Sequence, residues 1–529
     1  MTSDGARGGD THEDSTTRRD EGPGDEGRGA GASERRGSDS APDRRRTHDG
    51  QGPASRPSSG FPRVVIVTAS VLVTAVLCIA YLVGDSLDVL PGPLTLAGLD
   101  RSLPSASRKA RAASDLAGRL DESRDVDATS ASRLVSSFAA SSGIGADYSV
   151  AVADADGTVV AERSADQARE PASTLKTLTS LAAATTLDMG STLDTRTYLS
   201  QSEGSGTTVI LKGNGDMLLS SGDSDTSHVN GRAGLRTLAK ETAQALRQRG
   251  LDTVRLVYDD SLFGSVRSPS SIATNNPDGL YYTPVSSMAV DGGREWSSGQ
   301  KPSDPDDFEA YPTLSTTTAA DAAAAFATRL REQGITVTGS PTSGTVPDGL
   351  SPVASVSSAT LGEVMAFMLR HSDNTLAEEF GRLTALKLGT GNSPQGATAA
   401  VKQRLTALRV TTKGLSMADC SGLSPGSRVT VRTLVAVQAT ILRTPAASAA
   451  GEGLSVAGLV GTAKSRFDSS VAGLIHAKTG SLSGVTSMTG TVLRSGGGIL
   501  VFAVIVNDPQ DYSAAYAAIG DFVGSLVKL

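Results

Sequence analysis

The chain has 529 residues, of which 38% are hydrophobic and 4% are aromatic, and its formal net charge at neutral pH is −7. The length allows about two to four domains, and the composition excludes both a polytopic membrane protein and a fully disordered chain. Because the net charge is negative, the chain is not expected to bind nucleic acid.

The N-terminal part of the chain divides into a polar tail, an apolar segment and a linker. Residues 1–63 are mostly Gly, Ser, Asp, Glu and Arg, which cannot bury enough apolar surface to fold, so we predict a disordered tail. Residues 64–83 carry no charge and are long enough to cross a bilayer. Arginines precede this segment and aspartates follow it, which by the positive-inside rule predicts a cytoplasmic tail.

We therefore predict a single-pass anchor in the cell membrane, with a stalk over residues 84–126 and an extracytoplasmic remainder. A cleaved signal peptide is the alternative, but the long polar tail before the apolar run argues against it.

Beyond residue 126 the hydrophobic pattern alternates between helical and extended periods. In chain order, the pattern predicts a helix over 131–140, strands over 148–154 and 158–162, a helix over 173–187, helices over 361–369 and 374–388, a strand over 498–506 and a closing helix over 513–526. Residues 191–356 are rich in Gly, Ser and Thr and predict short strands with few helices. This order predicts an α/β sandwich built from residues 127–190 and 357–529, with a β-rich domain inserted over 191–356.

A first candidate motif, Ser173-Thr-Leu-Lys176, opens a predicted helix. Residues three apart share a helix face, so the lysine amine can reach the serine hydroxyl. The helix dipole favours an alkoxide at this end, and a desolvated lysine can act as a general base. On its own, the pattern also fits an exposed helix start in a serine-rich chain.

A second motif, Ser372-Asp373-Asn374, lies on a turn between two predicted helices. Its hydroxyl can relay a proton, and its amide can hold a carbonyl or amide group of a substrate. On its own, the pattern fits an ordinary helix N-cap equally well, because Ser, Asp and Asn are the favoured capping residues.

A third motif, Lys478-Thr479-Gly480-Ser481, follows an apolar run on a predicted strand. The lysine and the threonine hydroxyl can bind a carboxylate. The glycine lets a substrate backbone lie close to the strand, and the Ser481 N–H can face an oxyanion. On its own, this pattern fits a surface turn.

The three motifs occur in one order, each in the secondary structure that its chemistry needs, and this is the SxxK, SxN and KTG set of β-lactamases and penicillin-binding proteins. The set and the long insertion between its first two members resemble the class C low-molecular-mass penicillin-binding proteins, the D-alanyl-D-alanine carboxypeptidase/endopeptidase family of serine peptidases. Segments 211–216, 281–288, 421–424 and 477–490 also resemble family signatures, and the resemblance spans roughly residues 127–529.

The resemblance implies a transpeptidase-like fold and a role for each catalytic residue. Ser173 would attack the penultimate D-alanine carbonyl of a peptidoglycan stem peptide, with Lys176 as the base. Ser372 would pass a proton to the leaving D-alanine, and water would then clear the acyl-enzyme. β-Lactams would inhibit the enzyme covalently.

The resemblance also implies the substrate-binding groups. Asn374 would hold the acyl-side amide, and Lys478 with Thr479 the terminal carboxylate. Gly480 would admit the substrate backbone, and the N–H groups of Ser173 and Ser481 would form the oxyanion hole. We expect neither a metal nor a cofactor, because two cysteines cannot form a zinc cluster and the five histidines show no HExxH-type spacing.

Two segments depart from the family pattern, and in the first, residues 215–219, the usual Gly-Asp-Pro-Thr-Leu has become Gly-Asp-Met-Leu-Leu. Where the family usually has Asp-Gly-Ser-Gly-Leu-Ser-Arg, this chain reads Asp419-Cys-Ser-Gly-Leu-Ser-Pro425. The arginine that helps to receive the peptide stem is absent, so the preference for a stem side chain is left open. The same segment contains a GxSxG pattern around Ser424, but the proline that follows has no N–H to complete the oxyanion hole of that motif.

Two alternative functions are weighed against the carboxypeptidase. A β-lactamase or esterase on the same scaffold would have to deacylate quickly, and we find no class A-type glutamate motif to support it. A catalytically inactive envelope scaffold or β-lactam sensor would not need the intact set of motif residues. The sequence does not separate carboxypeptidase from endopeptidase activity, and it leaves open the oligomeric state and the role of the tail.

Overall fold

The computed structural model describes residues 73–81, 125–202 and 206–529. Residues 73–81 are helical, and within the described residues no helix combines the length and the apolar character needed to cross a bilayer. The predicted tail, most of the predicted anchor and nearly all of the predicted stalk lie outside the described residues. The chain divides into two units after Ala110, and every element below belongs to the second unit.

The strands and helices of the described chain are numbered in chain order. The strands are β1 (Tyr148–Asp154), β2 (Val159–Arg163), β3 (Thr192–Ser202), β4 (Gly206–Lys212), β5 (Asp216–Leu219), β6 (Thr253–Asp259), β7 (Met288–Val290), β8 (Thr336–Ser343), β9 (Pro352–Thr360), β10 (Ser455–Val456), β11 (Ile475–Leu482), β12 (Val485–Leu493) and β13 (Ile499–Asn507). The helices are α1 (Ala128–Ala139), α2 (Lys176–Ala184), α3 (Leu235–Arg247), α4 (Thr318–Glu332), α5 (Leu361–His371), α6 (Asn374–Leu388), α7 (Pro394–Ala407), α8 (Val431–Arg443), α9 (Ser448–Glu452) and α10 (Tyr512–Leu526).

A six-stranded sheet with the order β10-β11-β12-β13-β1-β2 carries the last of the three motifs. Its strand pairs are antiparallel, with Lys478 of β11 opposite Thr489 of β12. The sheet is covered on both faces, which explains the unbroken apolar run of β13. Alternate β13 residues join two different cores: Phe502 packs with α1 and α10, whereas Val501 packs with α2 and α8.

A second sheet, with the order β8-β6-β4-β3-β9, is formed by the segment between the first two motifs. It is mixed, because β4, β6 and β8 run parallel while β3 pairs antiparallel with both β4 and β9. Helices α3 and α4 share a hydrophobic core with this sheet. Strand β9 ends at Thr360, whose side chain caps α5, so the sheet leads directly into the helix that ends at Ser372.

The predicted α/β fold is confirmed: helices cover a sheet on both faces, and the second sheet is mixed. Helices α3, α4, α7, α8 and α9 were not predicted, and the segment that contains α3 and α4 was characterised only by its composition. In α3 the buried positions Leu235, Leu238, Ala239 and Leu246 follow a helical period that was visible in the sequence. The helix predicted over 173–187 instead begins as a 3₁₀ turn, Ala172–Leu175, before α2 starts.

Candidate active site

Ser173 lies on the 3₁₀ turn Ala172–Leu175, immediately before α2. The preceding residue, Ala172, has a left-handed backbone with φ of 50°. Such a conformation is costly for a residue with a side chain and is found where the surrounding structure enforces it, often at active sites. Here the segment around Gly422 packs closely against the turn, since a Cβ at Gly422 would overlap the Ala172 carbonyl.

Lys176 is the first residue of α2 and is completely buried. Its ammonium donates to Ser173 Oγ at 3.0 Å, to Asn374 Oδ1 at 2.7 Å and to the carbonyl oxygen of Ser421 at 2.8 Å. An ammonium group has three donors, so these three acceptors fix its position completely. The lysine of the first motif thus joins its serine to the asparagine of the second.

The environment of Lys176 prepares its amine to accept a proton. Burial lowers the pKa of this lysine from its usual range to about 8, because the charged form loses hydration. Nearby carboxylates, that of Asp419 first, oppose the lowering. An amine with a pKa near 8 is partly neutral close to physiological pH, which is what a general base requires.

The second motif forms a tight connection between α5 and α6. Ser372 ends α5 with a left-handed backbone, φ 58° and ψ 34°. Asp373 caps α6 by accepting from the Leu376 N–H, and its carboxylate also pairs with Arg294 at 2.8 Å. The aspartate therefore holds the turn in place, while the residues on either side of it line a cleft.

Asn374 is held at both ends of its amide. Its Oδ1 accepts from Lys176, and its Nδ2 donates to the carbonyl oxygen of Tyr281 at 2.8 Å. An amide nitrogen carries two N–H donors, so one remains for another partner.

The third motif lies on β11, which passes beside the nucleophile turn. A Cβ at Gly480 would overlap Ser487 Oγ and would lie 2.8 Å from the carbonyl oxygen of Pro171 and 3.1 Å from the Ser173 nitrogen. Only glycine fits this close approach. The approach brings the N–H of Ser173 next to the strand that carries Ser481.

The side chains of Lys478 and Thr479 differ in exposure. Lys478 is completely buried, and its ammonium donates to the carbonyl oxygen of Thr479 at 2.8 Å. Burial, and then the charge of Lys176, hold the pKa of Lys478 well below its usual range. The Thr479 hydroxyl donates to Thr462 Oγ1 at 2.8 Å and lines the cleft.

The structure brings all eight predicted site residues together around one cleft of about 750 Å³. Five of them line it, namely Ser173, Ser372, Asn374, Thr479 and Ser481. Lys176 and Lys478 lie buried beneath this surface, and Gly480 joins Thr479 to Ser481 on β11.

Further lining residues were not predicted as site residues. Four of the nine tyrosines of the chain line the cleft, and they are Tyr281, Tyr311, Tyr512 and Tyr516. None of these tyrosines lies within 30 residues of a motif along the chain, so their place in the cleft was not visible from the motifs. Thr462 and Arg466 come from the loop before β11, and no motif in the sequence points to them.

The serine of the GxSxG pattern lies away from the surface of the cleft. Ser424, in the GxSxG pattern, is completely buried and its N–H donates to Asp419 Oδ2. Within the described part of the chain, no group of His, Cys, Asp and Glu side chains could hold a metal ion.

The sequence of the chain is similar to a family of carboxypeptidases. The model of the D-Ala-D-Ala carboxypeptidase 3 (S13) family matches residues 131–315 and 298–525. Carboxypeptidase DacB of Mycolicibacterium smegmatis is 33% identical over 369 residues, which cover 68% of this chain and 75% of that protein. A carboxypeptidase of Mycobacterium tuberculosis is 31% identical over 353 residues, covering 64% of this chain and 71% of that protein.

Among solved structures, penicillin-binding protein 4 (dacB) of Haemophilus influenzae matches with a TM-score of 0.61. The match covers 77% of this chain and all of that chain, at 18% sequence identity. At that identity the similarity concerns the fold.

Proposed function

The chain belongs to the D-Ala-D-Ala carboxypeptidase 3 (S13) family of serine-type carboxypeptidases, and from this premise we propose that Ser173 is the nucleophile with which it cleaves the terminal bond of peptidoglycan stem peptides. The observation that carries the proposal is the contact of 3.0 Å between Lys176 Nζ and Ser173 Oγ. It joins a nucleophile to a buried base at the wall of a cleft.

In the acylation step, Ser173 Oγ attacks the carbonyl carbon of the penultimate D-alanine, and its proton passes to the neutral amine of Lys176. The oxyanion that forms would accept from the N–H groups of Ser173 and Ser481, a contribution of about 2.7–4 kcal/mol per donor. The close approach of β11 at Gly480 supports this placement. Asn374 orients the base through Oδ1, and its remaining N–H is available to the acyl-side amide.

Collapse of the tetrahedral intermediate breaks the peptide bond and releases D-alanine, whose amine takes the proton held by Lys176 through the Ser372 hydroxyl, which leaves Lys176 neutral. On binding, the Thr479 hydroxyl would turn from Thr462 Oγ1 to the terminal carboxylate of this leaving group, with Lys478 buried behind it. Water then attacks the ester carbonyl with Lys176 again as the base. The bond to Ser173 Oγ breaks, the proton returns from Lys176 to that oxygen, and the shortened stem peptide leaves.

A fluorescent penicillin tests the proposal on the purified full-length chain. We expect a label that survives denaturing electrophoresis and disappears in Ser173→Ala, together with D-alanine release from a D-Ala-D-Ala peptide that is lost in the same variant. Ser465→Ala, on an exposed serine of the loop before β11, is the matched control and keeps both activities.

The outcomes of this experiment separate the alternatives. Rapid consumption of the penicillin without a lasting label indicates a β-lactamase. Neither label nor turnover indicates a scaffold and contradicts the proposed mechanism.

We further propose that residues 191–356 form an inserted domain between two parts of the catalytic domain, residues 127–190 and 357–529. All strands of the second sheet come from the segment Thr192–Thr360, which supports this division. Native-state hydrogen exchange should then show two cooperative units, and uniform protection across both would contradict the division.

The apolar, uncharged segment 64–83 supports the proposal of a single-pass anchor with the catalytic part outside the cytoplasm. Deleting these residues should move the protein from the membrane fraction to the soluble fraction. Unchanged sedimentation of the deletion variant would refute the anchor.

A further inference from the structure

The loop between β10 and β11 contributes a guanidinium group to the wall of the cleft. Among the described residues that line the cleft, Arg466 is the only one with a charged side chain. The lysines of the first and third motifs are completely buried beneath the surface. An anion that enters the cleft therefore meets the positive charge of Arg466 first.

The Arg466 side chain is held in one position by α10. Its Cζ lies 3.5 Å from the centre of the Tyr516 ring, a cation–π contact, and its Nη2 donates to the Tyr516 carbonyl oxygen at 3.2 Å. A planar group that is already stacked loses little conformational freedom when it binds a ligand.

Arg466 has no acidic partner in the described part of the chain. Burial lowers the pKa of the guanidinium, and Tyr516 and Tyr512 partly oppose the lowering. Its Nε is buried and has no hydrogen-bond acceptor among the described residues. The residue as a whole is half-buried, and withdrawing part of an unpaired charge from water is costly. An anionic ligand would supply the missing partner.

The position of the loop between β10 and β11 indicates which anionic group Arg466 would bind. Thr462, four residues before Arg466 in the same loop, accepts the hydrogen bond of the Thr479 hydroxyl. Arg466 thus belongs to the wall on the Thr479 side of the cleft, where the proposed function places the terminal carboxylate. Lys478 has its ammonium turned to a backbone carbonyl and a lowered pKa, so it supplies little exposed charge to that carboxylate.

We propose that Arg466 binds the terminal carboxylate of the substrate, beside Thr479, and thereby selects peptides with a free C-terminus. This inference rests on the proposed function, since it assumes that the scissile bond lies at Ser173. A guanidinium presents parallel N–H donors that match the two oxygens of a carboxylate, and such charge-assisted pairs are the strong ones.

The test compares the rate constants with which benzylpenicillin and its uncharged methyl ester acylate the full-length chain. The carboxylate of benzylpenicillin takes the place of the carboxylate of the terminal D-alanine. In Arg466→Ala we expect the rate constant for the acid to fall about 10- to 100-fold, as for the loss of a hydrogen-bonded charge pair, and the rate constant for the ester to stay within about threefold. Arg466→Lys should restore part of the difference. For a D-Ala-D-Ala peptide, KM should rise more than kcat falls.

The ratio of the acylation rate constants for the acid and the ester is measured on one preparation. Partial unfolding of a variant lowers both rate constants equally and leaves their ratio unchanged. Lys464→Ala removes a neighbouring positive charge on the same loop, one that pairs with Asp307 at 3.6 Å, and should leave the ratio unchanged. Equal losses for acid and ester, or no loss for the acid, would overturn the role of Arg466. Acylation that persists in Ser173→Ala would instead contradict the proposed function.

Discussion

The two lysines beneath the cleft are buried to the same extent but have different partners. Lys176 donates to three oxygens, one of them on the nucleophile, and carboxylates near it limit the fall of its pKa. Lys478 donates to one backbone carbonyl, and its pKa is lowered further by the charge of Lys176. We assign proton transfer to Lys176, because it alone of the two contacts the serine.

The pH dependence of acylation tests this assignment. Lys176 must be neutral to accept the proton, so its active fraction grows as pH rises towards its pKa of about 8. Below that pKa we expect the acylation rate constant to rise about tenfold per pH unit, with a plateau above it. Stopped-flow acylation by a penicillin between pH 6 and pH 9 measures the profile.

Two variants complete this measurement. Lys176→Arg keeps a cation that does not release its proton, and we expect acylation to slow by about 10²–10⁴-fold. Lys464→Ala should reproduce the profile of the unmodified chain. A rate constant that does not change over this pH range would show that Lys176 is not the base.

At the scale of single elements, the site depends on how closely β11 approaches the 3₁₀ turn. The strand is paired along its whole length with β12, so it cannot move away from the turn without breaking that ladder. Gly480 lies where the two meet, between Ser487 on β12 and the Pro171 carbonyl. The Ser487 hydroxyl donates to that carbonyl at 2.7 Å, which ties the sheet to the turn.

Gly480→Ala should therefore damage both stability and activity. The added methyl group overlaps Ser487 Oγ, and overpacking of this kind costs about 1–3 kcal/mol of unfolding free energy. Acylation should slow as well, because the turn that carries Ser173 must shift. Denaturant unfolding and penicillin labelling measure the two effects.

Gly524→Ala is the matched control. This glycine lies in α10 with no atom within 4 Å of the added methyl group, so the change should be neutral or stabilise by up to about 1 kcal/mol. If Gly480→Ala were as stable and as active as this control, the close approach would not be needed for the site.

On the scale of the whole molecule, buried carboxyl groups link the segment between the first two motifs to α6. Asp216 begins β5, whereas Glu378 and Glu379 lie on α6, and each has an oxygen without a hydrogen-bond partner among the described residues. Burial raises the pKa of Asp216 to about 7 and the pKa values of both glutamates well above their usual range. The folded chain therefore holds protons that an unfolded chain would release.

The stability of the molecule should accordingly fall as pH rises from mildly acidic to neutral. The pKa of Asp216 is 3.8 when unfolded and about 7 when folded, so its protonated form stabilises the fold below pH 3.8 and this contribution is lost as pH rises to about 7. Asp216→Asn imitates the protonated carboxyl group. As pH rises across this window, the free energy of unfolding of the variant should increase relative to that of the unmodified chain by about 1.4 kcal/mol per pH unit. Above pH 7 the difference should level off.

Denaturant unfolding at several pH values measures this difference. Asp156→Asn, on a side chain that is 79% exposed, controls for the loss of a carboxylate at the surface. A constant difference between Asp216→Asn and the unmodified chain would contradict the protonated state of Asp216.

The three motifs, the α/β fold and the five motif residues that line the cleft followed from the sequence, because each depends largely on local order. A capping residue, a glycine beside a strand or a lysine three residues after a serine is specified by its immediate neighbours. The helix predicted over 374–388 matches α6, for example, because Asp373 caps its first turn. The domain limits, the anchor and the roles of the site residues stay predictions.

The tertiary structure alone decided what surrounds these residues. The second and third acceptors of Lys176 lie 198 and 245 residues away along the chain, and no local pattern specifies such a contact. The lowered pKa of Lys176 depends on the same packing. Arg466 is likewise one arginine among many in the sequence, and it becomes a candidate ligand of the substrate only because its loop folds beside Thr479 and α10 fixes its guanidinium. Burial and long-range contacts are properties of the folded chain, and therefore the sequence identified the chemistry while the fold determined its environment.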